Sequence, residues 1–600
     1  VKRTPSGYEA FLKSATGKQW ARIGIEKRSG VATPLFSIYS KKSVGIGEIP
    51  DLTLFIDWCR QAGLSLLQLL PMNDVGFSFT PYDAESSFAL EPMYLSPEHL
   101  FPSPKKTFTK EIANLRKQFP IRFPRIDYGI KRAKLDLFWK IFEKRSHEKD
   151  DAFKTFVEDQ SYWIRDYARF KVLKEKYDFH GWSEWSEEHR RADPVALARL
   201  DIEESARLEF YQWLQWQLFT QFTEVKRVAG QKGVLLVGDL PFLVSRDSAD
   251  VWAHQSDFKL DFAAGAPPDL YFAEGQRWGM PPYNWDHIAS ESYAYLIQKL
   301  KTAELFYDIF RVDHFVGVFR LWSFPLNDPH AKGAFDPSDE HVWEDHGRRI
   351  VSTMINHTSM LPCAEDLGTI PACSYQLLRE FSIPGMEVQR WTKDWGHTDE
   401  FKSFEEYRAN SIAVISTHDT TPVPIWWQFE AETVDEALFR MKCESRGIPF
   451  DTVKKELFDE KLSRHGRLRW KATVTQTNQV VSVLGKPAHE LRDFIELHRS
   501  TFGEKQKFWN FIGLSGRYRD EPDAAFCAAA IRAAKKAQSI FSIHLIQDWL
   551  SAADFLPRPS WDYRINMPGI VDDKNWKLAL PFSLDEMLEN NSASRIRQFV

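Results

Sequence analysis

Short apolar runs, bounded by Pro, Gly or polar turns, recur along the chain, and stretches of helical periodicity separate them. We read strands at Pro34–Tyr39, Leu64–Leu70, Val234–Asp239, Tyr307–Asp313, Leu361–Glu365, Met386–Arg390, Ile412–His418 and Phe541–Ile546. A run of this length without polar alternation is the pattern of a strand buried on both faces of a parallel sheet. Strands that alternate with helices predict crossovers, and eight of them predict an α/β fold closed into a (β/α)8 TIM barrel. The spacing is uneven. Residues 71–233 hold far more chain than one crossover needs, with helical patterns at Ala133–Arg145, Asp151–Lys176 and Asp193–Lys226. Residues 420–540 hold a second excess, with helical patterns at Asp435–Lys442, Thr452–Glu460 and His489–His498. Both are expected to be mostly helical insertions at the catalytic end, leaving barrel core at about 30–70, 234–420 and 541–600. With no internal repeat, low-complexity tract or flexible linker, one catalytic unit over residues 1–600 is the expectation.

Besides Asp239, which ends its run after a glycine, three acids stand at run ends: Asp313, Glu365 and, just past His418, Asp419. A carboxylate on the last residue of a parallel strand sits at the carboxyl edge of the sheet, where barrel enzymes do their chemistry. For any one of them, a helix cap or salt bridge is the plainer role. Three at one edge suit acid/base work on a glycosidic bond. Arg311 lies two residues before Asp313, so both side chains leave the same strand face. A guanidinium there favours the ionised carboxylate that a glycosyl nucleophile must be. Glu365 has no cationic neighbour in sequence, and an apolar wall would raise its pKa towards that of a proton donor. His418 and Asp419 form a pair suited to gripping adjacent sugar hydroxyls.

Composition narrows the partners. A net charge of -5 argues against nucleic acid or a membrane surface. No window has the apolar length of a transmembrane helix, and Val1-Lys2-Arg3-Thr4-Pro5 does not begin a secretory signal. The five scattered cysteines lack a Cys-x-x-Cys pair, which speaks against structural zinc or a disulfide framework and for a reducing cytoplasm. Most of the 22 Trp and 18 Tyr must be core, but some are expected to line a groove, since aromatic faces pack on the C–H faces of sugars. Gly45-Ile46-Gly47 lacks the third glycine and acidic residue of a dinucleotide fingerprint, and there is no Walker motif. The charged run His489–Arg499 is expected to be a solvated helix face.

Several segments together resemble the amylomaltase or 4-alpha-glucanotransferase (disproportionating enzyme) family of the alpha-amylase clan. Arg311-Val312-Asp313-His314-Phe315-Val316-Gly317 resembles its nucleophile motif, Ala364-Glu365-Asp366-Leu367-Gly368 its acid/base motif, and Thr417-His418-Asp419 the motif of its third carboxylate. Gly238-Asp239-Leu240-Pro241-Phe242, Ala266-Pro267-Pro268-Asp269, Gly275-Gln276-Arg277-Trp278-Gly279-Met280-Pro281, Gly45-Ile46-Gly47, Thr80-Pro81-Tyr82, Pro384-Gly385-Met386 and Arg564-Ile565-Asn566-Met567-Pro568-Gly569 follow in the family's order. Thr420-Thr421-Pro422 stands where the family usually has Asn-Asp-Thr, Glu91-Pro92-Met93-Tyr94 replaces Asn-Pro-Tyr, and Asn575-Trp576 lacks the usual Trp-Arg.

The resemblance implies a retaining transferase of alpha-1,4-glucan segments between maltooligosaccharides or to glucose, without metal or other cofactor. It implies Asp313 as nucleophile, Glu365 as acid/base and Asp419 as the stabilising carboxylate. Thr80, Tyr82, Asp239, Gln276, Trp278, Arg311, His314, His418 and Asn566 would bind substrate, with Gly275–Pro281 lying over the cleft. An amylase-like hydrolase and a glucan-binding scaffold without turnover are the alternatives.

Overall fold

The computed structural model describes residues 7–101, 106–144, 151–267, 275–328, 332–394, 398–556, 559–569 and 572–600. Eight parallel strands form the centre: β1 (Arg28–Thr33), β2 (Leu66–Leu69), β3 (Leu235–Leu240), β4 (Ile309–Val312), β5 (Leu361–Ala364), β6 (Gly385–Val388), β7 (Ser411–Val414) and β8 (Phe541–Leu545). Each pairs with its sequence neighbours except β5 with β6, and β8 returns to β1 with Arg28 opposite Phe541. The ring closes between β5 and β6, where no ladder forms. There the Ala364 N–H donates to Pro384 O at 2.8 Å, and Asp366 Oδ1 accepts the Met386 N–H at 2.7 Å.

Alternation along the strands sorts the side chains. Val237, Ile309, Leu361, Cys363, Ile412 and Val414 meet in the barrel interior, while Leu236, Phe310, Val312 and Ala364 join the outer core under the helices. Tyr8, Phe11, Trp20 and Ile23 of the N-terminal segment join the interior cluster, and Trp20 donates its indole N–H to Ser382 O. This packing stoppers the amino-terminal mouth and leaves the carboxyl edge for chemistry.

Four features depart from the sequence expectation. The first strand is Arg28–Thr33, not Pro34–Tyr39, so the barrel starts before residue 30. Gly30 lies against Leu66, where a Cβ would stand 2.6 Å from the Leu66 Cβ, and such close backbone packing favours small residues over an apolar run. Pro34 ends the strand and Leu35–Ser37 is a 3-10 turn. The second insertion is not only helical: the helix Phe450–Leu457 gives way to a strand Phe458–Arg464, which pairs with Arg467–Trp470 and through it with Thr433–Asp435. The pattern was hidden because Phe458–Arg464 is mostly polar. His489–Arg499 is not simply solvated, since Phe494, Leu497 and His498 are buried in that insertion's core. Finally, an antiparallel sheet of Phe262–Ala266, Gln276–Arg277, Leu321–Pro325 and Ala334–Asp336 flanks the barrel, unforeseen from the pattern. No helix among the described residues is long and apolar enough to cross a membrane.

Candidate active site

Alternation delivers the acids to one place. Leu235 and Val237 pack with the interior of β3, so Asp239 faces it too. Ile309 does the same in β4, so Arg311 and Asp313 follow; Leu361 and Cys363 lead to Glu365. Asp239 stands opposite Arg311, and Val312 opposite Ala364, so Asp313 and Glu365 follow on adjacent strands. They open into a cavity of about 790 Å3, together with Tyr82, Trp278, His418 and Asp419.

A continuous polar chain crosses this cavity. Arg311 Nη1 donates to Asp239 Oδ1 at 2.7 Å and to Asp313 Oδ1 at 3.0 Å. The Tyr82 hydroxyl donates to Asp239 Oδ2 at 2.8 Å and lies 2.8 Å from His418 Nε2, which is 3.2 Å from Asp419 Oδ2. Asn566 Nδ2 donates to Asp419 Oδ1 at 2.6 Å, and Arg564 Nη2 to the Asp419 carbonyl at 3.1 Å. On the opposite wall the backbone turns sharply after Asp313, with His314 at φ 46°, and its N–H donates to Glu365 Oε2 at 2.9 Å.

These surroundings separate the acids. Burial pushes Glu365 up to about 8, reinforced by Asp313 against the pull of Arg311. Burial also raises Asp313, but here the Arg311 guanidinium opposes it directly. The cation thus favours the ionised form, as expected from its place two residues before Asp313, but it restrains the rise without reversing it. For Asp419, burial is outweighed by His418 and the Asn566 hydrogen bond, which bring it to about 2. Asp419 keeps 42% of its side-chain surface open, and that surface faces the cavity. Burial holds His314 down at about 4, a neutral ring, whereas Asp419 raises His418 against its own burial.

The remaining sequence candidates also converge. Thr80 and Gln276 line the cavity, and the Trp278 indole N–H donates to Gln276 Oε1 at 3.2 Å. Trp278 meets the His314 ring edge-on at 4.8 Å. Pro268 and Asp269 lie outside the described residues. Gly45-Ile46-Gly47 does not line the cavity; Gly45 packs on Ile130 and Gly47 on the Leu35 and Ile38 carbonyls. Sequence reading missed Trp576, whose ring lies 5.7 Å from Tyr82 and 6.0 Å from His418, and Trp391, 42% exposed in the cavity wall. Trp391 follows the Met386–Arg390 run directly, so the rule that singled out strand-end acids would have found it. Among the described residues no group of three or more His, Cys, Asp or Glu has a metal-holding geometry.

Residues 33–584 match the sequence profile of a family described as 4-alpha-glucanotransferase. The chain belongs to the 4-alpha-glucanotransferase family. It is 30% identical over 575 residues to the 4-alpha-glucanotransferase of Chlamydia muridarum, covering 95% of this chain and 94% of that one. A 4-alpha-glucanotransferase of Chlamydia pneumoniae is 35% identical over 420 residues, 69% of this chain and 78% of that one. The fold is that of solved amylomaltases. The Streptococcus agalactiae protein, in complex with acarbose, superposes with a TM-score of 0.69 at 22% identity, over 96% of this chain and 98% of that one. The Corynebacterium glutamicum protein gives 0.70 at 21% identity, over 98% and 76%.

Proposed function

We propose that this chain is a retaining 4-alpha-glucanotransferase in which Asp313 attacks and Glu365 carries the proton. The Asp313 carboxylate forms a bond to the anomeric carbon of an alpha-1,4-glucan as the glycosidic C–O bond breaks, and Glu365 protonates the leaving oxygen. In the second half, Glu365 takes the proton from the 4-hydroxyl of an acceptor, which displaces Asp313. Asp419 holds ring hydroxyls of the flattened, cation-like transition state, and His418 and Asn566 share that task; Asp239, whose carboxylate is enclosed between Arg311 and Tyr82, orients those two instead of meeting sugar, contrary to the sequence expectation. Tyr82 offers an aromatic face, and Thr80, Gln276, Trp278 and His314 contact the sugars around it. Acceptors are maltooligosaccharides or glucose. We read the chain as one catalytic unit whose insertions grow from the barrel's carboxyl edge, working in a reducing cytoplasm that its five unpaired cysteines suit.

The observation that carries this reading is the contrast between neighbours: Glu365 at about 8 beside an Asp313 that Arg311 holds at 3.0 Å. A carboxyl raised to about 8 keeps a proton where a leaving group needs it, and a guanidinium in direct contact favours charge on the neighbour that must attack. Maltotriose tests it. Glucose with longer oligomers is the expected product set; glucose with maltose alone means a hydrolase, and no change means a binder. Asp313→Asn must abolish turnover, and a near wild-type rate would overturn the nucleophile.

A further inference from the structure

Arg390 fastens the loop that carries Asp419 from behind. It lies just past β6 and is 4% exposed. Its Nε donates to Ile415 O at 3.2 Å, its Nη2 to Ser416 Oγ and Thr421 O at 2.8 Å each, and its Nη1 reaches Thr421 Oγ1 at 3.4 Å. These contacts bracket residues 417–420 on both sides. The turn is closed within by Thr420, whose Oγ1 accepts the Thr417 N–H at 2.9 Å. Trp426 packs 5.1 Å from the guanidinium, and Glu430 Oε2 lies 4.0 Å away. Glu430 Oε1 also takes a hydrogen bond from Arg564, which itself donates to the Asp419 carbonyl, so one carboxylate links the two arginines around the loop.

We propose that Arg390 is a positioning residue for Asp419, acting through Ser416 and Thr421 without touching substrate. The proposal rests on the role given to Asp419 above. A carboxylate that must meet sugar hydroxyls in the transition state needs placement to within about 0.5 Å. A planar fork fixes the two ends of a turn together, which a single ammonium cannot do. Thr421 and Pro422 are where this chain leaves the family's usual Asn-Asp-Thr. Thr421 supplies two of the fork's acceptors, and Pro422 has no N–H to compete for them.

Arg390→Lys keeps the charge and loses the fork. Its kcat on maltotriose is expected to fall about 10- to 100-fold, with KM changed less than about threefold, in a protein that stays folded by circular dichroism. In an Asp419→Asn background, measured with maltosyl fluoride, the same substitution is expected to add less than about twofold, because the two residues act as one unit. A folded Arg390→Lys with wild-type kcat overturns the proposal, as does a loss repeated in full in the Asp419→Asn background. Should Arg390→Lys not fold, Ser416→Ala with Thr421→Val removes two acceptors and leaves the arginine. A kcat-selective loss supports the proposal there, and an unchanged kcat overturns it. An inactive Asp419→Asn beside an unaffected Arg390→Lys defeats the positioning role alone. An active Asp419→Asn defeats the assignment of Asp419 and the positioning role with it.

Discussion

Glu365 directly follows β5, and Asp419 stands a few residues beyond β7, so the two carboxyls enter the same cavity from different walls. Glu365 receives the backbone N–H of His314 and little else, and burial lifts it to about 8. Asp419 receives Asn566 and a histidine at 3.2 Å and sits at about 2. Residue type and strand position are nearly the same; the partners differ. A buried carboxyl rises where a nearby cation falls short of offsetting desolvation, as Arg311 does for Glu365, and drops where direct partners outweigh it, as for Asp419. Each wall thereby commits its acid to one task.

The largest effects come from neutralising each acid. Glu365→Gln is expected to slow maltotriose turnover by about 10²–10⁴-fold, the usual worth of general acid/base help. Maltosyl fluoride needs no proton donor, so it should restore formation of the glycosyl-enzyme. Asp419→Asn is expected to cost about 10²–10³-fold, as for loss of one preorganised electrostatic partner, and the fluoride should not rescue it. Equal rescue of both would break the comparison.

Arg311→Leu comes next. With the guanidinium gone, only the smaller pull of His418 restrains the rise of Asp313, so the acid limb of the pH–rate profile moves to higher pH. The alkaline limb, set by Glu365 near 8, moves up as well, because Arg311 also holds Glu365 down. Misplacing the nucleophile as well should lower the rate about 10²-fold. An unmoved acid limb would show that Arg311 only braces the barrel. Trp278→Ala is expected to act more mildly, raising the ratio of new reducing ends to chain redistribution on maltotriose and weakening acceptor saturation. An unchanged ratio would remove that loop from acceptor choice.

The smallest effects are on stability, and they have opposite signs. Folding retains a proton on Glu365 that the unfolded chain releases, so wild type loses stability as pH rises from 4.5 to about 8. Glu365→Gln lacks this penalty, and its Tm relative to wild type should climb across that window. Asp419 adds stability above its ordinary 3.8 and loses it as pH falls towards 2. The Tm deficit of Asp419→Asn should therefore be present at neutral pH and fade under acid. Parallel behaviour of the two variants would refute the contrast.

Much of this site was legible because a parallel barrel turns sequence position into spatial position. Any acid ending a buried strand lands on one edge, so Asp313 and Glu365 declared themselves locally. The partners did not. Tyr82 reaches His418 across 336 positions, and Asn566 reaches Asp419 across 147, distances over which no periodicity carries information. Their inclusion came from resemblance to a family. Among the strands, β1 escaped notice because Arg28-Ser29-Gly30-Val31-Ala32-Thr33 is chosen for tight approach to β2 and not for bulk. The pairing of Arg467–Trp470 was legible only on one side, where Leu468 and Trp470 alternate with arginines.

The joint between β5 and β6 joins neighbouring strands of the ring without a ladder. Elsewhere around the ring a ladder of backbone bonds must break together, but here the Asp366 side chain supplies much of the closure and is itself held by Arg408 at 2.6 Å. Asp366 is fully buried and Arg408 mostly so, and salt screens such a pair little. Amide exchange at Met386, whose N–H a side chain holds, should therefore outpace that at Ile412 with little dependence on ionic strength. The joint lies one residue from Glu365, so each such opening lets water reach the wall that keeps the acid protonated. On the role proposed for Glu365, its hold on a proton is thus tied to the closure of this seam.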